Sequence, residues 1–166
     1  MPSAWVVRWA SELAAGAQVL DVASGAGRHA RFLADRGFAV TAVDRDPVVI
    51  AELADVPGVA TLVADLESGP WPLPGRRFAG VVVTNYLHRP LFPVLVDVVE
   101  PGGVLVYETF AVGNERFGRP SNPAFLLQPG ELLELVRGRM RVLGYEDMFD
   151  PAPQPRMVQR ICARKL

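Results

Sequence analysis

Three aspartates, Asp21, Asp44 and Asp65, stand in or at the close of the apolar runs "QVLDVA", "FAVTAVD" and "VATLVAD". Between the first two lies "ASGAG", Ala23 to Gly27, followed by the amphipathic run "RHARFLADRG". Glycines let the backbone turn sharply and approach a ligand that a Cβ would hold off. The free N–H groups that open the following helix favour a negative group there. Asp44 is placed to accept hydrogen bonds from both hydroxyls of a ribose, with Arg45 beside it. Further on, "TNYLHRPLF" sets Asn85, Tyr86, His88 and Arg89 after three successive valines, and "VLVYETF" brings Glu108 and Thr109 to a strand end. These residue types and spacings suit a nucleoside-bearing ligand with a second reactant beside it.

The elements that must position them alternate between strand and helix. "QVLDVA" (18–23) reads as a buried parallel strand. A helix is predicted from Arg28 to Arg36, ended by Gly37. "FAVTAVD" is the second strand; Asp46 caps the next helix, with Pro47 at its first position. "VATLVAD" is the third strand, and "ESGPWPLPGRR" is a connection too rich in proline and glycine to stay helical. "FAGVVVTNYL" is the fourth strand, Pro90 to Val99 a helix, "EPGG" a tight turn and "VLVYETF" the fifth strand. A long loop from Ala111 to Gln128 precedes the helix "PGELLELVRG". Two strand-like runs, "MRVLGYEDM" and "RMVQRICARK", close the chain with no helix between them, so they can pair antiparallel at one edge. Such alternation implies a parallel sheet covered on both faces.

Composition narrows the function classes. A chain of 166 residues is the size of one domain (1–166), half of it apolar and 21 % charged. Seventeen basic against eighteen acidic side chains leave a net charge of −1, with no basic excess to call for a nucleic-acid partner. The one cysteine, Cys162, is expected to be a small buried thiol and excludes an internal disulfide. With two histidines far apart and no H-x-x-x-H spacing, no metal site is expected. The start "MPSAWVVRWASEL" lacks the form of a signal peptide, and no apolar run is long enough for a membrane span, so the expected location is the cytoplasm.

"GAGRHA" satisfies the dinucleotide fingerprint G-x-G-x-x-G/A, and Asp44 follows about twenty residues later, as that motif requires. Two features weigh against a dinucleotide. Asp21 lies in the approach to the glycine turn, where a pyrophosphate gains nothing from a carboxylate while a cationic sulfonium and ammonium do. No stretch is left over for the substrate domain that dehydrogenases usually add. "VLDVASGAGRHARFLADRGFAVTAVDRDP", "VADLESGPWPL", "FAGVVVTNYLHRPLFPVL" and "EPGGVLVYETF", in this order, resemble a class I S-adenosylmethionine-dependent methyltransferase. The similarity is strongest to the small single-domain bacterial enzymes grouped with the tellurite-resistance and thiopurine types. It covers residues 18–110, and the remainder more loosely.

The resemblance implies a doubly wound, Rossmann-like α/β fold: a mainly parallel seven-stranded sheet with an antiparallel edge strand and helices on both faces. S-adenosyl-L-methionine would lie across the glycine loop. Asp21 would orient that loop or meet the methionine ammonium, and Ala23, Ser24, Gly25 and Gly27 would line the methionine and ribose part. Asp44, with Arg45, would hold the ribose, and Asp65 with Leu66 would meet the adenine. Asn85 and Tyr86 would border the transferred methyl group. Ala23 stands where the family's first glycine commonly sits.

Beyond the donor, Asn85 can orient a polar acceptor group, and Tyr86 can donate a proton or form an aromatic wall. His88 is either a general base, its unperturbed pKa of about 6.5 suiting that task, or a helix-start histidine bonded to backbone. Arg89 is an anion contact or an exposed charge, His29 a packing residue, and Glu108 a substrate contact. In the long loop, Arg116 and Arg119 could present guanidinium forks to an anion, as in a lid. Trp5 and Trp9, four apart, share one helix face and cover the core or the cofactor pocket. Trp71 packs near the adenine or shields the sheet. The acceptor expected is a small molecule, with anions and soft nucleophiles as candidate classes, acted on by a monomer or homodimer. The rival readings are a nicotinamide-dependent oxidoreductase and a non-catalytic S-adenosylmethionine-binding regulatory module.

Overall fold

The computed structural model describes residues 1–166. In chain order the elements are α1 (Ala4–Trp9), β1 (Gln18–Val22), α2 (Arg28–Asp35), β2 (Ala39–Asp44), α3 (Pro47–Ala51) and β3 (Val59–Val63). Then come β4 (Phe78–Thr84), α4 (Phe92–Asp97), β5 (Val99–Phe110), α5 (Glu131–Val136), β6 (Met140–Asp150) and β7 (Arg156–Lys165). They build one seven-stranded sheet in the order β3-β2-β1-β4-β5-β7-β6. The first five strands pair parallel. The closing pair is antiparallel at one side of the sheet, as its sequence implied. The reversed strand is β7, inserted between β5 and the outermost strand β6. Strand order reverses between β1 and β4, so a ligand crevice is expected over their C-terminal ends.

The central strands carry apolar side chains to both faces, and each face has its own core. Leu20, Val22, Val83, Leu105 and Tyr107 pack with Leu95 of α4 and Leu132 of α5 on one side. Val19, Val82, Val104, Val106 and Cys162 pack with Trp5 of α1 and Leu33 of α2 on the other. In β4, Val81, Val82 and Val83 are all fully buried, which is why three valines run without alternation. Burial pushes the Cys162 thiol up to about 12, so it is a packing residue and not a nucleophile. Trp5 and Trp9 lie edge-on with ring centres 5.6 Å apart, and Trp5 donates its indole N–H to the Ile161 carbonyl. They cover the core, as does Trp71, which packs against it and donates to the Leu73 carbonyl.

Two elements depart from the sequence reading. The helix expected from Pro90 to Val99 opens as a 3₁₀ turn (Arg89–Leu91), and only Phe92–Asp97 is α-helical. Pro90 and Pro93 lack the N–H groups a continuous helix would use. The "EPGG" turn is absorbed into β5 as an irregularity in its pairing with β4. Gly103 makes that passage, because a Cβ there would stand 2.7 Å from the Ala79 carbonyl oxygen. No helix is long and apolar enough to cross a membrane.

Candidate active site

The glycine turn is built from backbone that ordinary residues avoid. Gly25 (φ 55°) and Gly27 (φ 78°) are left-handed, and so is Ala23 (φ 53°), the position where the resembled family has glycine. Gly27 is doubly required, since a Cβ would run into the buried Leu53 side chain. The turn is fastened to β2, with the Ser24 amide donating to the Val43 carbonyl and the Gly25 amide to Asp44 Oδ2 at 2.8 Å. Asp44 Oδ1 accepts from the Asp46 amide at 3.0 Å, and Asp46 in turn caps α3. Each Asp44 oxygen therefore has one donor and keeps a lone pair for a ligand hydroxyl.

Asp21 lies on the α2 side of the sheet, 1 % exposed, and neither of its oxygens has a hydrogen-bond partner. Burial pushes its carboxyl up to about 7 and the nearby Asp44 charge adds to the rise, while the Ala30 amide and Arg28 pull it partly back. In the first turn of α2, His29 joins three segments: the Ser3 amide donates to Nε2 at 3.0 Å, and Nδ1 meets Thr84 Oγ1 at 3.2 Å. An amide can only donate, so Nε2 is the acceptor and the neutral ring carries its proton on Nδ1, directed to Thr84. Burial, then Arg28 and the N-terminal ammonium, press its pKa down to about 4. His29 is the packing and hydrogen-bonding residue its position suggested.

At the end of β4, Asn85 is left-handed too (φ 53°), a conformation asparagine tolerates better than most residues. Its amide donates to the Glu108 carbonyl, and the buried Tyr107 hydroxyl donates to the Tyr86 carbonyl at 2.7 Å. Burial, with Glu67 and Asp65 nearby, pushes the Tyr86 hydroxyl up to about 12, so it serves as an O–H donor near neutral pH. Asp65 accepts from the Glu67 amide and the Ser68 hydroxyl, both at 2.9 Å, and these bonds hold its carboxyl below the usual carboxylate range.

A cleft of about 480 Å³ opens over the ends of β2, β3, β4 and β5. It brings together Ala23, Asp44, Arg45, Asp65, Leu66, Asn85 and Tyr86. Asp21, Ser24, Gly25 and Gly27 are outside its wall and form the turn behind it. His88 is outside the wall as well: its Nδ1 lies 3.2 Å from Glu67, joining the loop after β4 to the loop after β3. Arg89 is neither a free anion contact nor an idle charge. It donates to the Ala124 and Leu126 carbonyls at 3.0 and 2.9 Å and to Glu131, clamping the end of the long loop. Glu108 does not reach the cleft. It is buried under α1, accepting from the Ser3 hydroxyl at 2.8 Å and pairing with Arg160 at 2.9 Å.

The long loop carries two 3₁₀ turns (Asn114–Arg116 and Pro123–Phe125) and closes at its base through an Ala111–Leu127 bridge. Asn114 pins it by accepting from the Met157 amide and donating to the Pro120 carbonyl. Pro120 and Phe125, not Arg116 or Arg119, are the loop residues in the cleft wall. Sequence reasoning missed those two, together with Glu67, Phe110 and the Tyr107 brace. Only Phe110 carried a signal, its place at a strand end.

The donor set fits S-adenosylmethionine. Three acids (Asp44, Asp65, Glu67) face one base (Arg45) in the cleft wall, and the buried Asp21 carboxylate behind the turn lacks a partner. Such a surround favours a sulfonium and ammonium and opposes a pyrophosphate. A profile described as "Methyltransferase domain" matches residues 19–103. The ribosomal RNA small subunit methyltransferase J of Aeromonas salmonicida is 40 % identical over 87 residues, 51 % of this chain and 34 % of that protein. The chain thus spans about a third of that relative's length. In structure it is similar to TehB from Haemophilus influenzae (TM-score 0.84, 19 % identity, 99 % of this chain and 63 % of that one). It is also similar to the glycopeptide N-methyltransferase MtfA complexed with S-adenosyl-L-homocysteine (TM-score 0.68, 18 % identity, 97 % and 88 %).

Proposed function

We propose that this chain, which belongs to the methyltransferase-domain family, transfers a methyl group from S-adenosylmethionine to a small-molecule acceptor held against Asn85 and Tyr86. The observation that carries the reading is the acidic cleft at the strand-order reversal, with its glycine turn tied to Asp44. When bound, the donor supplies a methyl carbon activated by its positive sulfur, which an acceptor lone pair displaces in line. The chain's part is to hold, orient and exclude water. Asp44 accepts the ribose hydroxyls with the lone pairs its amide contacts leave free, and Asp65 and Leu66 border the adenine. Asn85 orients the acceptor through its side-chain amide. Tyr86, fixed by Tyr107, offers an O–H donor and an apolar edge, while Pro120 and Phe125 screen the acceptor from solvent. His88 acts through Glu67 as a positioning residue.

A cleft of about 480 Å³ lies within the ordinary range for small-molecule sites, roughly 300–1,000 Å³. The ribosomal relative supplies a second reading, an RNA acceptor. The three acids of the cleft and the net charge of −1 weigh against a polyanion there. The two separate by assay: release of S-adenosylhomocysteine with a panel of small thiols, phenols and amines, against release with unmodified small-subunit ribosomal RNA. Turnover on the panel supports the first reading; turnover on RNA alone overturns it.

A further inference from the structure

A second pocket, of about 210 Å³, adjoins the first. Phe110 lines both, and the neighbours Arg119 and Pro120 divide between them, Arg119 to the second and Pro120 to the first. Its volume falls below the range of a complete small-molecule site, so it suits one end of a ligand whose other end lies elsewhere. Its chemistry is opposite to that of the main cleft: the wall holds two guanidinium groups, Arg119 and Arg156, and no acid. Arg156 pairs with Asp150 at 3.0 Å and lies 3.9 Å from Glu108, and its buried Nε has no hydrogen-bond partner, so Arg119 carries the charge that no acid offsets. Arg119 is exposed at the mouth. Asn114 and Gln154 add polar groups to the lining, and its apolar part is Phe110, Pro153, Pro155 and Phe117, which packs at a tilt on Phe149 with ring centres 5.1 Å apart.

Charge is therefore divided between two adjoining spaces. The acidic one favours the cationic donor, and the basic one favours an anion carried on an apolar body. We propose that the second pocket binds the carboxylate end of an aromatic acceptor whose nucleophilic end reaches Asn85 and Tyr86, with Arg119 and Arg156 as its anion contacts. This rests on the methyltransferase reading and adds the acceptor's class to it. A ring between Phe110 and Phe117 gains apolar contact, and a guanidinium meets a carboxylate with two parallel donors. The donor's own methionine carboxylate is the other source of the same chemistry, and the test separates the two.

The probes are 4-hydroxybenzoate, 4-aminobenzoate and 4-mercaptobenzoate, each beside its neutral benzamide, titrated calorimetrically into the full chain saturated with S-adenosylhomocysteine. The carboxylates should bind about tenfold or more tightly than the amides, and Arg119→Ala should remove that difference. Affinity for S-adenosylhomocysteine should not change in Arg119→Ala. Equal binding of carboxylates and amides, or no binding of either, overturns the proposal. So does an Arg119→Ala variant that loses affinity for S-adenosylhomocysteine while keeping it for 5′-methylthioadenosine, which lacks the carboxylate. Unimpaired S-adenosylhomocysteine binding, with turnover of a neutral acceptor, would leave the methyltransferase reading intact while this inference fell.

Discussion

Asp21 and His29, both buried behind the glycine turn, have pKa values displaced in opposite directions, and together they set how stability should respond to pH. Burial raises Asp21 from 3.8 to about 7. Between those values the unfolded chain has lost the proton that the folded chain keeps, so stability falls as pH rises through this window. The full cost, reached above about 7, is about 4 kcal/mol from roughly three pKa units. His29 is lowered from 6.5 to about 4. Between those values the unfolded chain holds the proton that the folded chain lacks, so stability rises with pH, by about 3 kcal/mol in all. From pH 4 to 6.5 the two contributions cancel, because one proton on folded Asp21 balances one on unfolded His29. Asp21→Asn removes one side of the balance. Urea unfolding of wild type and variant across pH 4–8 should show near-equal stability at pH 4, with the variant gaining steadily to an advantage of about 4 kcal/mol above pH 7. The same variant should bind S-adenosylmethionine more weakly, since the neutral amide no longer faces its cationic groups. Parallel curves for the two proteins would refute the reasoning, because they would mean that Asp21 is ionised in the folded state throughout.

Ala23→Gly should stabilise the fold by about 1 kcal/mol, the left-handed penalty at φ 53° exceeding the entropy that glycine adds to the unfolded chain, as read by urea unfolding. Arg89→Ala should free the end of the long loop, cost about 2 kcal/mol through lost charge-assisted bonds to Glu131 and two carbonyls, and open residues 113–125 to limited proteolysis. Tyr107→Phe should cost about 1 kcal/mol through its bond to the Tyr86 carbonyl; steady-state kinetics should show kcat falling more than donor affinity.

The parallel strands and the acids at their ends were readable because strands buried on both faces leave continuous apolar runs, and because a ligand site at their ends needs glycine and carboxylate in fixed places. Asp44, Asp65, Asn85 and Tyr86 meet in one cleft for that reason. Glu108 was misjudged by phase. In a strand as thoroughly buried as "VLVYETF", no alternation tells which face a residue takes, and the α1 face took it. Arg89 and His88 depend on partners that local pattern does not reveal: Glu131 lies 42 residues from Arg89, and Glu67 belongs to a different loop from His88. Pro120 and Phe125 became cleft residues only because Asn114 and the Ala111–Leu127 bridge fold the loop back over the strand ends.

Calorimetric titration of the protein with S-adenosylmethionine, S-adenosylhomocysteine and NADH, side by side, reads the cleft most directly. Binding of both adenosyl ligands without binding of NADH is the expected result, since the Asp21, Asp44, Asp65 and Glu67 surround favours a cation and offers a pyrophosphate nothing. Binding of NADH in their place would contradict a methyl-donor site at this glycine turn.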